Sequence, residues 1–330
     1  LEFRRVLFRS EPGLASCNNT MGRWFTVLGH SALLFGLAVV EPGLSRADGS
    51  ARGSITTAAF TTEKQAAERN WHAFWNNHLG TWKGSWTRYT PEGDVKESFA
   101  STREFTANSA ATEIVQNNRY RYADGRSRHK QWSYNVKDHN QRDGFAHPAS
   151  IPMRGLALDN GAAAWLIPSL EPNQFTPFEL FLMDGDRRHS VGVLYGKDGA
   201  LLRTATIREQ RGNASTDGWT DAIDQVEPWH PVGPWQGQGR QILKDLSRLP
   251  SSTTFWQWIA PGESDQSNHY LPDRIILRCP KRITPMQPFS IQVIWMLHDD
   301  AMQTITAEYD KDLELIDVTH QTLSPGTRPN

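Results

Sequence analysis

The sequence predicts an all-β protein of two tandem antiparallel β-barrels, with a short amphipathic helix before the first barrel. Three observations support this fold class. Short segments of alternating polarity are separated by turns rich in glycine and aspartate, which is typical of antiparallel meanders. The motif "GTWKG" (80–84) returns as "GPWQG" (233–237), and the hairpin "YGKDGALL" (195–202) returns as "YDKDLELI" (309–316). Two units that agree in their first strand and in their last hairpin indicate an internal repeat.

The first 47 residues are expected to lie outside the fold. "LEFRRVLFRS" (1–10) resembles translated vector or adapter sequence, and Met21 opens a segment with the features of a targeting signal. An apolar run (25–40) follows Arg23, and residues 45–47 form a small-residue cleavage site. We expect a cleaved export or organelle-import signal and no stable membrane span after processing. The alternative is a single signal-anchor helix.

The remaining chain is expected to form two domains. After a linker at 48–60, a capping-box pattern and aromatic residues at helical spacing predict a helix over 61–77, which Gly80 ends. The predicted domains are a first barrel at 61–212, a polar linker at 213–228, a second barrel at 229–322 and a tail at 323–330.

The repeated tryptophan motif is predicted to close one end of each barrel. Backbones crowd where the first strand of a closed meander enters, so glycine permits their close approach and a large flat side chain covers the end. The alternative is that both tryptophans are ordinary core residues of a β-sandwich. The residues in these closing positions are Gly80, Trp82, Gly84, Gly233, Trp235 and Gly237.

The tryptophan motif is similar to that of the lipocalins and fatty-acid-binding proteins, which are calycin barrels. "NWHAFWNNHLGTWKGSWTRYTPEGD" (70–94) and "RRHSVGVLYGKDGALLRTATIRE" (187–209) resemble a two-domain calycin-like family of unknown function from cyanobacteria and algae. Residues 270–319 resemble the end of the related S-type phycobiliprotein lyases. The resemblance covers residues 70–320 and implies two tandem calycin-like β-barrels.

The resemblance does not extend to the chemistry of the lyases. Those proteins carry an arginine shortly after the first-strand tryptophan, where it holds bilin propionates. This chain has Trp86 and Gly239 at the corresponding positions, although Arg88 and Arg240 lie nearby. Further arginines are expected before the last hairpin, where this chain has "QTITAEYD". These differences argue against chromophore attachment.

Composition and motifs limit the functional classes. A formal net charge of −1 gives no reason to expect nucleic acid as a partner. The sequence lacks a Gly-x-Ser-x-Gly elbow, a phosphate-binding glycine loop, HExxH and CxxC. No two histidines have the i, i+2 spacing that would aim both from one strand at a metal, so we expect no metal site. Cys279 has no evident base beside it, and these features favour a protein that is not an enzyme.

Two groups of residues are candidates for a ligand cavity. Arg119 and Arg121 share one face of a strand at 112–122 and would together meet a carboxylate, with Arg208 as a third candidate. The alternative is that they are exposed strand arginines. Aromatic residues could line the same pocket or belong to an ordinary core. These residues are Trp86, Trp132, Trp165, Phe181 and Tyr195.

The sequence therefore predicts non-catalytic binding of a hydrophobic or amphipathic small molecule, such as a fatty acid, a tetrapyrrole or another pigment-like ligand. No cofactor is required. Two alternatives stay open: a lyase-like chromophore chaperone with a pigment-protein acceptor, and a structural or protein-interaction double barrel. The calycin resemblance supports a cavity by analogy only, because one fold hosts many functions. The targeting signal and the photosynthetic hosts of the family suggest a plastid or thylakoid destination if the source is an alga.

Overall fold

A computed structural model describes residues 50–212, 218–259 and 265–326 of the chain. The predicted leader and targeting segment at 1–47 lies outside the described residues, as do part of the 213–228 linker and the end of the tail. None of the helices in the described ranges combines the length and the apolar character needed to cross a membrane.

The first helix, α1, covers Ser50–His78 and is longer than predicted. It begins inside the segment 48–60, where a linker was expected. Residues 54–66 contain neither glycine nor proline, so the helical conformation extends N-terminally past the predicted start at residue 61, and it also includes Gly53. Trp71 and Trp75 at its C-terminal end are fully buried, and this end anchors the helix in the core.

The first half of the chain forms one antiparallel sheet of eleven strands, which curls into a nearly closed barrel. The strand order is β4-β3-β2-β1-β11-β10-β9-β8-β7-β6-β5. A single-turn helix, α2 (Val136–His139), joins the two edge strands. The strands are β1 (Gly80–Tyr89), β2 (Val95–Ala107), β3 (Glu113–Tyr122), β4 (Ser127–Asn135), β5 (Asn140–Gln141), β6 (Gly144–His147), β7 (Ser150–Ala157), β8 (Ala163–Leu166), β9 (Thr176–Asp184), β10 (Arg187–Tyr195) and β11 (Leu201–Arg211).

The second half forms an antiparallel sheet of seven strands in the order β13-β12-β18-β17-β16-β15-β14. In both sheets the last strand lies beside the first, β11 with β1 and β18 with β12. The predicted all-β fold with a helix before the first tandem unit is confirmed. The strands are β12 (Pro234–Leu243), β13 (Arg248–Gln257), β14 (Gln266–Leu271), β15 (Ile275–Pro280), β16 (Phe289–His298), β17 (Ala301–Tyr309) and β18 (Leu315–Pro325).

The second glycine of the repeated motif lets the first and last strands of each unit approach closely. A Cβ atom at Gly84 would overlap the backbone carbonyl of Arg208 in β11. A Cβ atom at Gly237 would overlap the backbone carbonyl of Thr322 in β18 in the same way. Only glycine fits these two crossings, so the repeat in the sequence reflects a repeated backbone contact.

The first glycine and the tryptophan of the motif also have the same backbone conformation or burial in both units. Gly80 and Gly233 have φ angles of +107° and +77°, in the region that favours glycine. Trp82 and Trp235 are both buried. The Trp82 indole donates a hydrogen bond to the carbonyl of His78 at 2.9 Å, which ties the end of α1 to the first strand.

One hydrophobic core lies between the two sheets and holds them together. Its residues come from the outer face of the first barrel and from the facing side of the second sheet. The described residues from 50 to 326 accordingly form one compact unit. Members of this core are Leu180, Leu182, Val191 and Val193 from β9 and β10, and Leu277, Val293, Trp295 and Ile305 from β15, β16 and β17.

The last hairpin of each unit is bound by the other unit, an arrangement that we call the reciprocal hairpin contact. The Tyr195 hydroxyl donates to the carbonyl of Pro280 at 2.9 Å, and the Tyr309 hydroxyl donates to the carbonyl of Ile167 at 2.8 Å. Both hydroxyls are buried. Backbone hydrogen bonds repeat the exchange: Leu201 N to Lys281 O, Ile283 N to Gly199 O, Leu315 N to Pro168 O and Leu170 N to Leu313 O.

We expect Gly84→Ala and Gly237→Ala each to destabilise the protein by about 1–3 kcal/mol or more, because the added methyl group forces paired strands apart. Gly192→Ala in β10 is the control, since a Cβ atom there meets Ala205 at an ordinary 3.6 Å. Urea unfolding of the three variants measures the difference. Equal free energies of unfolding for Gly84→Ala and Gly192→Ala would contradict the close approach.

We expect Tyr195→Phe and Tyr309→Phe to cost about 1–3 kcal/mol each, because each leaves one buried carbonyl without its hydrogen bond. Tyr122→Phe is a matched control, since Tyr122 is only half-buried and its hydroxyl has no such role in joining the units. Thermal and urea unfolding provide the measurement. A loss confined to one of the two tyrosines would argue against a reciprocal contact.

Candidate functional site

A cavity of about 260 Å³ lies inside the first barrel, and we call it the first-barrel cavity. Its floor is aromatic, with side chains from α1, β2, β8 and β9. Phe74 packs edge-to-face on Trp165, with ring centroids 5.8 Å apart, and on Phe181 at 6.4 Å. Edge-to-face packing holds these rings in fixed positions. The floor residues are Phe74, Phe105, Trp165 and Phe181.

A buried ion network crosses the barrel beside this floor. Arg103 binds Glu209 through two hydrogen bonds, Nε to Oε1 at 2.6 Å and Nη2 to Oε2 at 2.8 Å. Arg188 reaches the same carboxylate from Nε at 2.8 Å, and Arg103 also contacts Glu179 at 3.1 Å. His78, at the end of α1, lies 3.0 Å from Arg188. The network joins β2, β9, β10, β11 and α1 across the interior.

The charges in this network stabilise one another against burial. Burial alone would raise the pKa of Glu209, but Arg103 and Arg188 hold it below its ordinary value. Burial alone would lower the pKa of Arg103, and Glu209 and Glu179 raise it instead. Burial and the positive charge of Arg188 lower the pKa of His78, so its ring is neutral at physiological pH. The two paired arginines therefore remain cations, already committed to protein carboxylates.

A chain of hydrogen bonds forms one polar wall of the cavity. The hydroxyl of Tyr134 donates to the Gln116 side chain at 2.7 Å. Gln116 donates to Asn118 at 3.0 Å, and Asn118 donates to the hydroxyl of Tyr120 at 2.9 Å. Residues 116, 118 and 120 alternate along β3, which places all three on its inner face.

Four cationic side chains surround the mouth of the cavity, which we call the cationic mouth: Arg88, Arg128, Lys130 and Arg203. Arg88 is paired with Glu97. The other three form no ion pair with any residue in the described ranges. Burial, Arg128 and Arg88 lower the pKa of Lys130, and burial and Arg88 lower the pKa of Arg203. The mouth thus carries positive charges that no carboxylate among the described residues neutralises.

Four of the five predicted aromatic residues line the first-barrel cavity together: Trp86, Trp132, Trp165 and Phe181. The indole nitrogen of Trp86 is buried and has no hydrogen-bond partner among the described residues. Tyr195, the fifth, faces the other unit and belongs to the reciprocal hairpin contact. Its position on β10 places it on the outer face, opposite to the residues that point inward.

The predicted inward orientation of Arg119 and Arg121 is wrong. The Arg119 side chain is 61% exposed and lies near Glu104, and Arg121 is also exposed. Their neighbours Asn118 and Tyr120 face the cavity instead. Arg208 is buried but points to the second unit, where it pairs with Asp273 at 2.6 Å. None of the three predicted arginines therefore lines the cavity.

Sequence reasoning missed the cations that do line it. Arg128, Lys130 and Trp132 alternate in "SRHKQW", so the strand pattern already placed them on one face. The alternation alone does not show that this face points into the barrel. The sequence around Arg103 and Arg188 does not indicate that they are buried in an ion pair, because their partner Glu209 lies 106 and 21 residues away in the chain.

Comparison with known proteins shows what the first unit is similar to. The family model for the N-terminal domain of DUF3598, a domain of unknown function, matches residues 67–214, which is less than half of the chain. This segment is similar to DUF3598 N-terminal domains. The expected resemblance to a family of unknown function is therefore confirmed. Every residue that lines the first-barrel cavity lies within the matched residues 67–214.

Solved structures support the same fold. A DUF3598-family protein of unknown function from Nostoc punctiforme is 17% identical, with a TM-score of 0.59, and the match covers 78% of this chain and 99% of that one. An S-type phycobiliprotein lyase from Guillardia theta is 11% identical over 46% of this chain and 98% of its own, with a TM-score of 0.32. That second similarity is too low to support a conclusion. Among curated proteins, no match was found.

The cysteine among the described residues is not an activated thiol. Cys279 is buried, and burial raises the pKa of its thiol to about 12, so it stays protonated at neutral pH. Within the described ranges, no three His, Cys, Asp or Glu side chains gather in a way that could hold a metal ion.

We expect the protein to lose stability between pH 7.5 and pH 5, because several histidines are buried in their neutral form. Their folded-state pKa values lie below the value near 6.5 of the unfolded chain. The unfolded state therefore binds more protons in this window, and the free energy of unfolding falls as the pH falls, by about 2 kcal/mol at pH 5 for each independent group. The groups, with burial as the main cause, are His147 and His269 with pKa values of about 4, and His189 and His320 with values of about 3.

Urea unfolding at pH 7.5, 6 and 5 measures this loss. The pKa of Glu209 is also lowered by folding. Its contribution to the free energy of unfolding is lost as the pH falls from the unfolded value near 4.5 toward the lower folded value, which is below this window. His147→Gln should reduce the pH dependence, whereas His72→Gln, on an exposed position of α1, should not change it. A free energy of unfolding that is constant across the three pH values would contradict the burial of neutral histidines.

Proposed function

We propose that the protein binds an anionic, amphipathic small molecule in the first-barrel cavity and catalyses no reaction on it. The apolar part of the ligand packs on the aromatic floor, and its acidic group meets the cationic mouth. A carboxylate-bearing ligand such as a fatty acid or a tetrapyrrole has this chemistry.

One observation carries the proposal: Arg128, Lys130 and Arg203 surround an aromatic cavity without a carboxylate partner among the described residues. Arginine and lysine side chains near one another repel, and each lowered pKa reflects this cost together with desolvation. A ligand carboxylate or other anion removes the repulsion and supplies charge-assisted hydrogen bonds.

The aromatic floor supplies the second part of the affinity. Burial of apolar ligand surface contributes about 25 cal/mol per Å² removed from water. The cavity volume of 260 Å³ lies just below the range of about 300–1,000 Å³ that is common for small-molecule sites. The cavity therefore encloses the apolar end of a ligand, while the acidic end lies at the open mouth.

The ion network fixes the side chains beside the aromatic floor. Arg103 and Arg188 are bound to Glu209 and leave the mouth cations as the anion-binding groups. The Arg103 guanidinium also lies 5.7 Å from the centroid of the Trp86 ring and holds this wall of the cavity. A prearranged site binds with a smaller loss of side-chain entropy.

The test is titration calorimetry of the full chain with oleate and with biliverdin, each compared with a neutral analogue, oleyl alcohol or biliverdin dimethyl ester. The double variant Arg128→Glu/Lys130→Glu should weaken binding of the acid about tenfold or more, because it reverses the charge of the mouth. Binding of the neutral analogue should change by less than twofold.

Arg119→Glu/Arg121→Glu is the matched control, since it makes the same charge change on the outer face of β3. It should leave the affinity for the acid nearly unchanged. If both double variants lost affinity equally, the loss would come from the overall charge of the protein and not from the cationic mouth. If neither acid bound the unaltered chain, the proposal would be overturned. The comparison of oleate with biliverdin distinguishes a lipid from a pigment ligand.

A further inference from the structure

The inner face of the second sheet has an apolar end and a polar end. The apolar end contains Trp235, which is buried at the start of β12. Around it pack Ile276, Ile294, Met296, Met302 and Leu323, with Trp256, Trp258 and Tyr270 at the edge.

The polar end encloses a cavity of about 380 Å³, which we call the second-barrel cavity. Side chains from six of the seven strands line it, so it occupies the concave face of the sheet. Seven of its ten lining residues carry an uncharged amide or hydroxyl group, and three are charged. The lining residues are Gln241, Gln266, Arg278, Ser290, Gln292, Thr306, Glu308, Asp317, Thr319 and Gln321.

Only part of this polar surface is used by contacts within the protein. Asp317 accepts hydrogen bonds from Gln241 at 2.6 Å and from Thr319 at 2.8 Å, and Gln292 donates to Thr306 at 3.0 Å. These contacts hold the wall in place. Gln321 also accepts a hydrogen bond from Thr304 at 2.9 Å and donates one to Thr254 at 2.7 Å.

Four lining residues have no side-chain hydrogen bond or ion pair with the described part of the chain: Gln266, Arg278, Ser290 and Glu308. The Arg278 guanidinium lies over the Trp258 ring, 4.9 Å from its centroid, which fixes its direction. On the same inner face of β14 as Gln266, the Asn268 side-chain oxygen is buried and accepts no hydrogen bond from a described residue. Gln266 and Arg278 are half-buried and Glu308 is exposed, so their polar groups are open to a ligand with many hydrogen-bonding groups.

The charges of the cavity restrict the class of that ligand. Glu308 and Asp317 are directly opposite one another in the β17–β18 pair. Two carboxylates in this position disfavour an anion, and the Arg278 guanidinium on the same wall offsets one of their two charges. Carboxylates accept hydrogen bonds, arginine donates them and glutamine side chains do both. A neutral molecule with paired donors and acceptors, such as a sugar, satisfies all three groups.

We propose that the second-barrel cavity binds a neutral, hydroxyl-rich small molecule, a mono- or disaccharide or a related polyol. This site is separate from the first-barrel cavity and differs from it in ligand class. Its volume lies within the range of about 300–1,000 Å³ that is common for small-molecule sites.

The test is a titration of the full chain followed by saturation-transfer NMR. The neutral probes are glucose, maltose and trehalose, and the charged probes are glucose 6-phosphate and glucosamine. At least one neutral probe should bind saturably, and its affinity should exceed that of both charged probes. Gln292→Leu and Glu308→Leu should each weaken binding about fivefold or more, because each removes hydrogen-bonding groups from the cavity wall.

Gln287→Leu is the matched control, since Gln287 is exposed and lies outside the cavity. It should bind the neutral probe as the unaltered chain does. Thermal unfolding of each variant separates lost binding from lost folding, and Gln292→Asn provides a milder change at the same position. The proposal is overturned if no neutral probe binds, if a charged probe binds best, or if folded Gln292→Leu and Glu308→Leu keep the full affinity.

Discussion

The reciprocal hairpin contact is the constraint on which the rest of the structure depends. Tyr195 and Tyr309 each donate a buried hydrogen bond to the opposite unit, and backbone hydrogen bonds around them repeat the exchange. Because β9 and β10 use their outer faces in this shared core, their inner faces remain available for the first-barrel cavity. The same division holds for β17, which buries Ile305 between the units and turns Glu308 toward the second-barrel cavity. Strand alternation thus assigns one face to assembly and the other to the lining of a cavity.

The interior of the first barrel carries charge at a position where a packed barrel would carry aliphatic side chains. A buried Arg–Glu–Arg arrangement repays its desolvation only when its geometry is good and its hydrogen bonds are satisfied. Glu209 meets both conditions, since it accepts hydrogen bonds from Arg103 and Arg188. This arrangement keeps space open beside the aromatic floor, and the cations at the mouth are left for an external anion. The cavity therefore combines a fixed shape with unpaired positive charge.

The two cavities differ in chemistry although the two units repeat one another in backbone. The first combines aromatic rings with unpaired cations, whereas the second combines amides, hydroxyls and opposed carboxylates. The repeat is strict only where backbones meet, at Gly84 and Gly237 and in the last hairpins. Away from these contacts the inner faces have diverged. The same backbone arrangement therefore encloses two cavities of different chemistry. The ligand class proposed for each cavity is tested independently.

The sequence by itself determined the all-β class, the tandem repeat and the aromatic wall of the cavity, because alternation, turns and repeated motifs are local signals. Only the tertiary structure decided which strand face points inward. Both faces of β3 mix polar and apolar residues, so its pattern could not show that Asn118 points inward and Arg119 outward. Tertiary structure also decided the partners of Arg208 and Glu209. Their ion pairs join strands that are distant in sequence, and such pairs depend on how the sheets curl and pack.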